Sequence, residues 1–263
     1  MVNITFFENT NELLTPKRLL KYVLLYCIKG DIAIVVDGKE FTLQPNDVLT
    51  ITSGQYHYFK KSENIKGILL DFTLDFFCKS DIDIELIFQN GLFCHFDMNE
   101  IIAVNKPFNI YNQLCLIQEE LNNKPFQFLT SIHARIALIL TEINRAKIAR
   151  GDEIWKPEAL FLKFLEMVRN NFQHNYSLHV IAEKLNTTVS RLNELAKLYA
   201  GKTAQNVIYG LIISEAKRLL QYEKLTVKEV AFNLGFNDPF YFSNFFRKKT
   251  KISPKTYQKQ FAF

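Results

Sequence analysis

The stretch Thr226–Pro254 reads TVKEVAFNLGFNDPFYFSNFFRKKTKISP, and its spacing decides the architecture of this end of the chain. Val230, Ala231 and Leu234 fall on one face of a short helix. Gly235 lets the backbone turn with positive φ. Asp238 is placed to cap a second helix, with Pro239 at its first position. Phe242, Phe245 and Phe246 form the inner face of that helix, and Arg247, Lys248, Lys249 and Lys251 give it a basic end. A bracing helix, a turn and a longer helix with a free polar face is helix-turn-helix grammar.

The same grammar occurs upstream, in Ser177–Gly201, SLHVIAEKLNTTVSRLNELAKLYAG. Ser177 is the expected cap, Ile181, Ala182 and Leu185 the inner face, and Asn186-Thr187-Thr188 the turn. Leu192, Leu195, Ala196 and Tyr199 face inward on the second helix. Val230, Ala231 and Leu234 repeat Ile181, Ala182 and Leu185 at an offset of 49. Between the motifs runs a helix from about Thr203 to Tyr222. Its Val207, Ile208, Leu211, Ile212, Ala216, Leu219 and Leu220 predict a buried connector. Pro157 opens a further helix carrying Leu160, Phe161, Phe164, Leu165, Val168 and Phe172 on one face. One such motif is common, whereas two in tandem on a buried connector specify a module whose second helices lie in major grooves.

Charge points the same way. The chain has 263 residues and a net charge of +5. Residues 1–150 carry 15 basic and 17 acidic side chains, residues 151–263 carry 17 and 10, and residues 224–263 alone carry 8 and 2. A basic module behind a near-neutral one suggests a polyanionic partner at this end, which the tandem motif makes double-stranded DNA, although a solvated charged face has the same composition. Hydrophobic residues make up 48% and charged residues 22%, which excludes long disorder and collagen-like repeats. The apolar run Tyr22–Ile28 falls far short of the roughly 20 residues of a spanning helix. The N-terminus MVNITFFENTNELL has no signal-peptide pattern, and Cys27, Cys78, Cys94 and Cys115 form no CxxC pair. The expected location is a reducing cytoplasm, with no membrane partner.

The first half reads differently. Tyr22–Ile28 and Ile32–Val36 are strand-like, punctuated by Gly30-Asp31 and Asp37-Gly38. Turn signals recur every 8–12 residues to about Phe72, the rhythm of a small all-β barrel or jelly roll. From Pro107 the period becomes helical, with Ile110, Leu114, Ile117 and Leu121 on one face. Pro125 is expected to open a second helix, Phe126 to Ala149, with Leu129, Ile132, Ile136, Ile139 and Ile143 in a three-four rhythm. That rhythm suits a coiled-coil seam with a second copy or a face packed on its own barrel. Ala149-Arg150-Gly151-Asp152-Glu153 is the expected linker.

Residues 158–259 resemble the tandem helix-turn-helix DNA-binding domain of AraC/XylS-type transcriptional regulators. The resemblance rests on Ala231, Gly235-Phe236, Asp238, Tyr241-Phe242, Phe246, Arg247-Lys248, Pro254 and Tyr257. It extends more weakly to the first half, which looks like that family's cupin-type sensing domain. It implies an α+β chain: a cupin or jelly-roll-like β-barrel with a helical dimerisation segment in 1–150, and an all-α tandem helix-turn-helix domain in 151–263. It also implies a homodimer, a small-molecule effector and a contact with RNA polymerase. Lys251 stands where the family usually has Gly, Gln258 and Ile212 where it often has Arg. Phe240 and Asn244 occupy positions that often hold a small polar residue and Arg, so base contacts must come from this chain's own side chains.

In the first recognition helix, Ser190, Arg191, Asn193, Glu194 and Lys197 point away from the apolar face. Ser190, Asn193 and Glu194 match base-facing positions in the resembling family. Asn can pair with adenine and Glu can accept from cytosine N4, whereas Arg191 and Lys197 suit phosphates. In the second, Asn244 suits adenine, Phe240 a thymine methyl, Lys248 a base or a phosphate, and Arg247 and Lys249 belong to the basic end.

Residues 46–57, NDVLTITSGQYH, are similar to the second cupin motif, but only Gly54 and His57 fit it. No HxH pair or HExxH accompanies them, and His95, His133, His174 and His179 are scattered, so no metal site and no cofactor are expected. No GxGxxG, Walker loop or GxSxG elbow is present, and no catalytic residue is assigned. Tyr26, Tyr56, His57 and Tyr58 are candidate effector contacts, though alternation forbids that all face inward. A sequence-specific, effector-responsive regulator is the expected function. A cupin enzyme with a DNA-binding tail and a protein-interaction adaptor are the alternatives.

Overall fold

The computed structural model describes residues 1–93 and 99–261. Cys94 and His95 lie outside the described residues. The chain forms two compact units, Met1–Lys156 and Pro157–Phe263.

Among the described residues, the first unit is built on the strands β1 (Val2–Phe7), β2 (Lys17–Arg18), β3 (Tyr22–Lys29), β4 (Ile32–Val36), β5 (Lys39–Leu43), β6 (Asp47–Ile51), β7 (Tyr56–Phe59), β8 (Lys66–Phe72) and β9 (Ile101–Ala103). They pair as two sheets, β1-β8-β3-β6-β9 and β2-β7-β4-β5. Among the described residues no ladder joins the sheets, so of the expected barrel or jelly roll the structure has two separate sheets and not a closed barrel. β3 is buried on both faces. Val23, Leu25 and Cys27 pack with Ile32, Ile34 and Val36 of the other sheet, together with Leu49, Ile51 and Phe59. The opposite face turns Tyr22 onto Phe72, Phe88 and Phe93, with ring centroids 5.2–6.2 Å apart. Each such fully buried ring contributes roughly 1.5–3 kcal/mol of transfer free energy.

That second face is covered by helices: α1 (Leu74–Phe77), α2 (Asp81–Phe88), α3 (Pro107–Asn123) and α4 (Phe128–Ala149). Pro107 opens α3 as expected. Pro125 does not open α4; it sits in the preceding turn, and Gln127 takes a left-handed conformation (φ 59°) before Phe128. The apolar rhythm of α4 serves its own chain. Ile132, Ile136, Ile139 and Ile143 are buried, Ile139 to 1% exposure, against α3, α2 and β9. Their reading as a seam between copies is corrected, because a stripe already covered within the chain is not free to pair. Leu129 alone of the five is exposed.

The segment after α4 is tied down. Arg150 pairs with Asp152 at 2.6 Å and with Glu100, and buried Lys147 also pairs with Glu100. Trp155 N donates to Asn90 Oδ1 (3.0 Å), and Asn90 N donates to the Trp155 carbonyl (2.7 Å). The break between the units therefore falls at Lys156–Pro157, beyond the Gly151 stop signal.

The second unit is all helical: α5 (Ala159–Arg169), α6 (Leu178–Lys184), α7 (Val189–Ala200), α8 (Ala204–Tyr222), α9 (Val227–Asn233), α10 (Pro239–Thr250) and α11 (Pro254–Phe261). The connector α8 buries Val207, Ile208, Leu211, Ile212, Ala216, Leu219 and Leu220. Four neighbours, α5, α7, α9 and α11, pack around it. Ile212, where the resembling family often has Arg, is part of this apolar seat.

Candidate nucleic-acid interface

The first motif is assembled by local caps. Ser177 Oγ accepts from Val180 N (3.3 Å) and starts α6. Asn186 makes the turn in a left-handed conformation (φ 50°). Thr188 Oγ1 then accepts from Arg191 N (3.1 Å) to start α7. α7 buries Leu192, Leu195 and Ala196, and the Tyr199 ring packs tilted against Phe161 of α5 with centroids 5.5 Å apart. Ser190, Glu194 and Lys197 are left on the exposed side.

The second motif repeats the plan with stronger punctuation. Thr226 and Glu229 form a reciprocal capping box on α9. Gly235 turns the chain at φ +71°, and a Cβ there would lie 2.7 Å from the Gln173 carbonyl and 2.9 Å from Asn175 N. Asp238 Oδ1 accepts from Phe240 N (2.8 Å), with Pro239 at the first position of α10. Phe242 and Phe246 are buried. Phe245, expected to be inside, is half-buried between Phe236 (5.5 Å) and Tyr209 (5.2 Å). Phe240 is 81% and Tyr241 67% exposed, and Asn244, Arg247 and Lys248 stand beside them in solvent. Phe240, Asn244 and Lys248 are four residues apart and share one face.

Three candidates have other attachments. Asn193 is half-buried: its Nδ2 donates to the Val189 carbonyl (3.1 Å) and its Oδ1 accepts from Ala204 N (3.0 Å). That removes its acceptor from base reading, a correction whose physical cause is the unsatisfied first amide of α8. Lys249 Nζ lies 4.8 Å over the Tyr209 ring and donates to Asn206 Oδ1 (3.3 Å), so it braces α8. Arg191 donates to Glu194 (2.7 Å) and to Glu158 (2.7 Å). These hydrogen bonds, first that to Glu194 and then that to Glu158, raise its pKa further. By contrast, Arg247 and Lys248 carry no ion pair among the described residues.

Glu158 and Tyr241 were not singled out as contacts by the sequence. Glu158 stands 33 residues before Arg191, and no local pattern links them. Tyr241 sits outside the apolar stripe of α10, which is the signal that marks it as exposed.

The four effector candidates do not converge. Tyr26 lies on the helix-covered face of the first sheet, where its hydroxyl donates to Asn46 Oδ1 (3.2 Å) and burial pushes its pKa up to about 12. His57 pairs with Val36 and points into the space between the sheets, 1% exposed, and neither ring nitrogen makes a well-formed hydrogen bond among the described residues. Burial first, then the Lys17 ammonium, push its pKa down to about 4, with the Gln55 backbone acting weakly the other way. Tyr56 and Tyr58 alternate to the opposite face, Tyr56 under the Arg18 guanidinium at 5.6 Å. Among the described residues, no three of His, Cys, Asp and Glu gather as a metal site, and no helix is long and apolar enough to cross a membrane.

Residues 181–260 match the model of a helix-turn-helix domain family. The chain is 24% identical over 239 residues to the HTH-type transcriptional activator RhaS of Mannheimia succiniciproducens, spanning 84% of this chain and 80% of that one. It is 32% identical over 119 residues to an HTH-type transcriptional regulator in the cgkA 5′ region of Pseudoalteromonas carrageenovora, spanning 45% of this chain and 70% of that one. Among solved structures it is similar to ToxT from Vibrio cholerae O395, at 13% identity and a TM-score of 0.45, covering 99% of this chain and 97% of that one.

Proposed function

This chain belongs to the AraC-type helix-turn-helix transcriptional regulators, and from that premise we propose how its parts divide the work of reading DNA. α7 and α10 enter neighbouring major-groove segments of one duplex. α10 brings Asn244 to an adenine, Phe240 to a thymine methyl, and Arg247 and Lys248 to phosphates or a guanine. α7 brings Ser190 and Glu194 to base edges and Lys197 to a phosphate. The observation that carries this reading is the pair of capped helices with exposed polar faces, on a unit whose residues 157–263 hold 16 basic and 8 acidic side chains.

The first unit is the sensing half in this proposal. His57 is its support, because a buried ring without a hydrogen bond costs stability unless something meets it. A small molecule with a hydrogen-bonding group between the sheets is the class of effector that fits. A second copy, if one pairs here, meets the exposed side of α4, where Leu138 and Ile148 stand, since the isoleucine stripe is covered. A DNA partner implies work in the cytoplasm, beside the chromosome.

The test is selection of duplexes from a random pool by the full chain, followed by titration at several salt concentrations. An enriched motif whose affinity falls with salt, at a log–log slope of about −0.9 per phosphate neutralised, is expected. No enrichment and no salt dependence would overturn the reading.

A further inference from the structure

We infer that Glu158, which precedes α5 and lies outside both helix-turn-helix motifs, is a specificity-determining positioning residue that acts on DNA recognition through Arg191. The inference rests on the DNA-reading role proposed above.

The geometry is a three-membered chain on the exposed side of α7. Arg191 Nη1 donates to Glu194 Oε1 and Nη2 donates to Glu158 Oε2, each at 2.7 Å. Both terminal nitrogens of the guanidinium are thus held by carboxylates, and the group of three carries a net charge of −1. On α10 the corresponding exposed cations, Arg247 and Lys248, carry no ion pair among the described residues. An arginine engaged by two carboxylates neutralises no phosphate and releases no counterion. Lys197 is then the one side chain of α7 left to do so among Arg191, Glu194 and Lys197.

The same chain sets up discrimination. Glu194 presents a carboxylate to a polyanion, which is unfavourable unless the carboxylate accepts from a cytosine amino group. Arg191 shields that carboxylate on approach, and Glu158 holds Arg191 in place and away from the phosphates. On a wrong base Glu194 loses its solvation and gains no partner, and no arginine–phosphate contact is there to compensate. These ion pairs are exposed at the surface, Glu158 to 47% and Glu194 to 64% of the side chain. Such pairs add little to folding stability, so they are available to tune binding without threatening the fold.

Glu158→Gln releases one arm of Arg191. With the full chain, the motif selected by the wild type and a random-sequence duplex pool serve as probes. The variant is expected to bind the random pool more tightly and to show a log–log salt slope steeper by about 0.9. That equals about 3.5-fold more loss of affinity between 50 and 200 mM salt. Its ratio of selected-motif to random-pool affinity should fall, and its melting should match the wild type. In an Arg191→Ala background the same substitution should leave the slope unchanged. An unchanged slope in Glu158→Gln, or an equal change with and without Arg191, overturns the inference. If the wild type itself shows neither salt-dependent nor selective binding, the DNA-reading role fails instead, so the two failures are distinguishable.

Discussion

The two helix-turn-helix motifs share a scaffold and present different chemistry on it. In each, a short helix with an apolar-Ala pair braces a longer helix, and a left-handed residue turns the chain at the same place, Asn186 in one and Gly235 in the other. The longer helices start with Thr188 and Asp238 as caps and end in left-handed Gly201 and Lys251, both at an offset of 50 rather than the 49 of the bracing helices. One extra residue in the second turn accounts for the difference. The outward faces diverge. α7 carries a cation bound to two carboxylates and an asparagine turned inward. α10 carries exposed aromatic rings, an exposed asparagine and, in Arg247 and Lys248, cations without an ion pair among the described residues. The motif grammar thus governs packing only, and the face it leaves free is independently variable. In the proposed division, α10 supplies phosphate affinity together with its base contacts, and α7 adds selectivity through Glu194.

The largest expected difference between the motifs is at their turns. Gly235→Ala combines a left-handed alanine with a Cβ 2.7 Å from the Gln173 carbonyl. It should cost about 3 kcal/mol or more, against about 1 kcal/mol for Asn186→Ala, where only the conformational term applies. Chemical denaturation of the two full-length variants measures this, and equal costs would show that the turns are equivalent after all.

The asparagines come next. Asn244→Ala should cost about 1–3 kcal/mol of discrimination at one base position and leave folding nearly unchanged. Asn193→Ala should do the reverse. Losing the acceptor for Ala204 N should cost about 1 kcal/mol of stability with the selected motif intact. Site selection and melting on both variants decide it, and a changed motif in Asn193→Ala would return that residue to the readout set.

At the helix ends, Lys251 holds φ +71° where the first motif has Gly201. Lys251→Gly should stabilise the second unit by about 0.5–1 kcal/mol, the relief of left-handed strain less the added freedom of the unfolded glycine. A lower midpoint would mean that the lysine side chain contributes more than its backbone costs.

The smallest difference concerns acid. Hydrogen bonds from the Thr226 backbone and then its hydroxyl hold the Glu229 carboxyl below its ordinary value near 4.5. A depressed folded pKa stabilises above that ordinary value, and the contribution is lost as pH falls through the lower folded one. α6 has Val180 at the matching position and no such dependence. Amide exchange followed from pH 6 to pH 3 should show the start of α9 loosening relative to the start of α6. Parallel behaviour would remove the capping box as a distinction.

Much of this was legible beforehand because it is local. Ser177 and Asp238 are short polar side chains placed before apolar stripes, and a cap acts within three residues of its own position. Ile32–Val36 and Pro107 marked element ends for the same reason. The site was legible to the extent that exposure follows from helical phase, as with Phe240, Asn244 and Lys248. Asn193 and Lys249 have the same phase-derived exposure and other attachments, because Ala204 N and the Tyr209 ring arrive from α8. Pro125 misled because proline favours a first helical turn but equally suits the turn before it.

What the amino-acid order determined by itself was the tandem motif, its repeat spacing, the capping residues and the concentration of positive charge in the last third. Each depends on chain neighbours within a few residues or on composition. Tertiary structure alone decided which apolar stripe is already covered, as for Ile132–Ile143, and whether the strands close on themselves. It also decided that His57 points between the sheets with no well-formed hydrogen bond among the described residues, and that Glu158 reaches Arg191 across 33 residues. Periodicity defines a face but not its partner, and a partner distant in sequence is chosen only when the whole chain has packed.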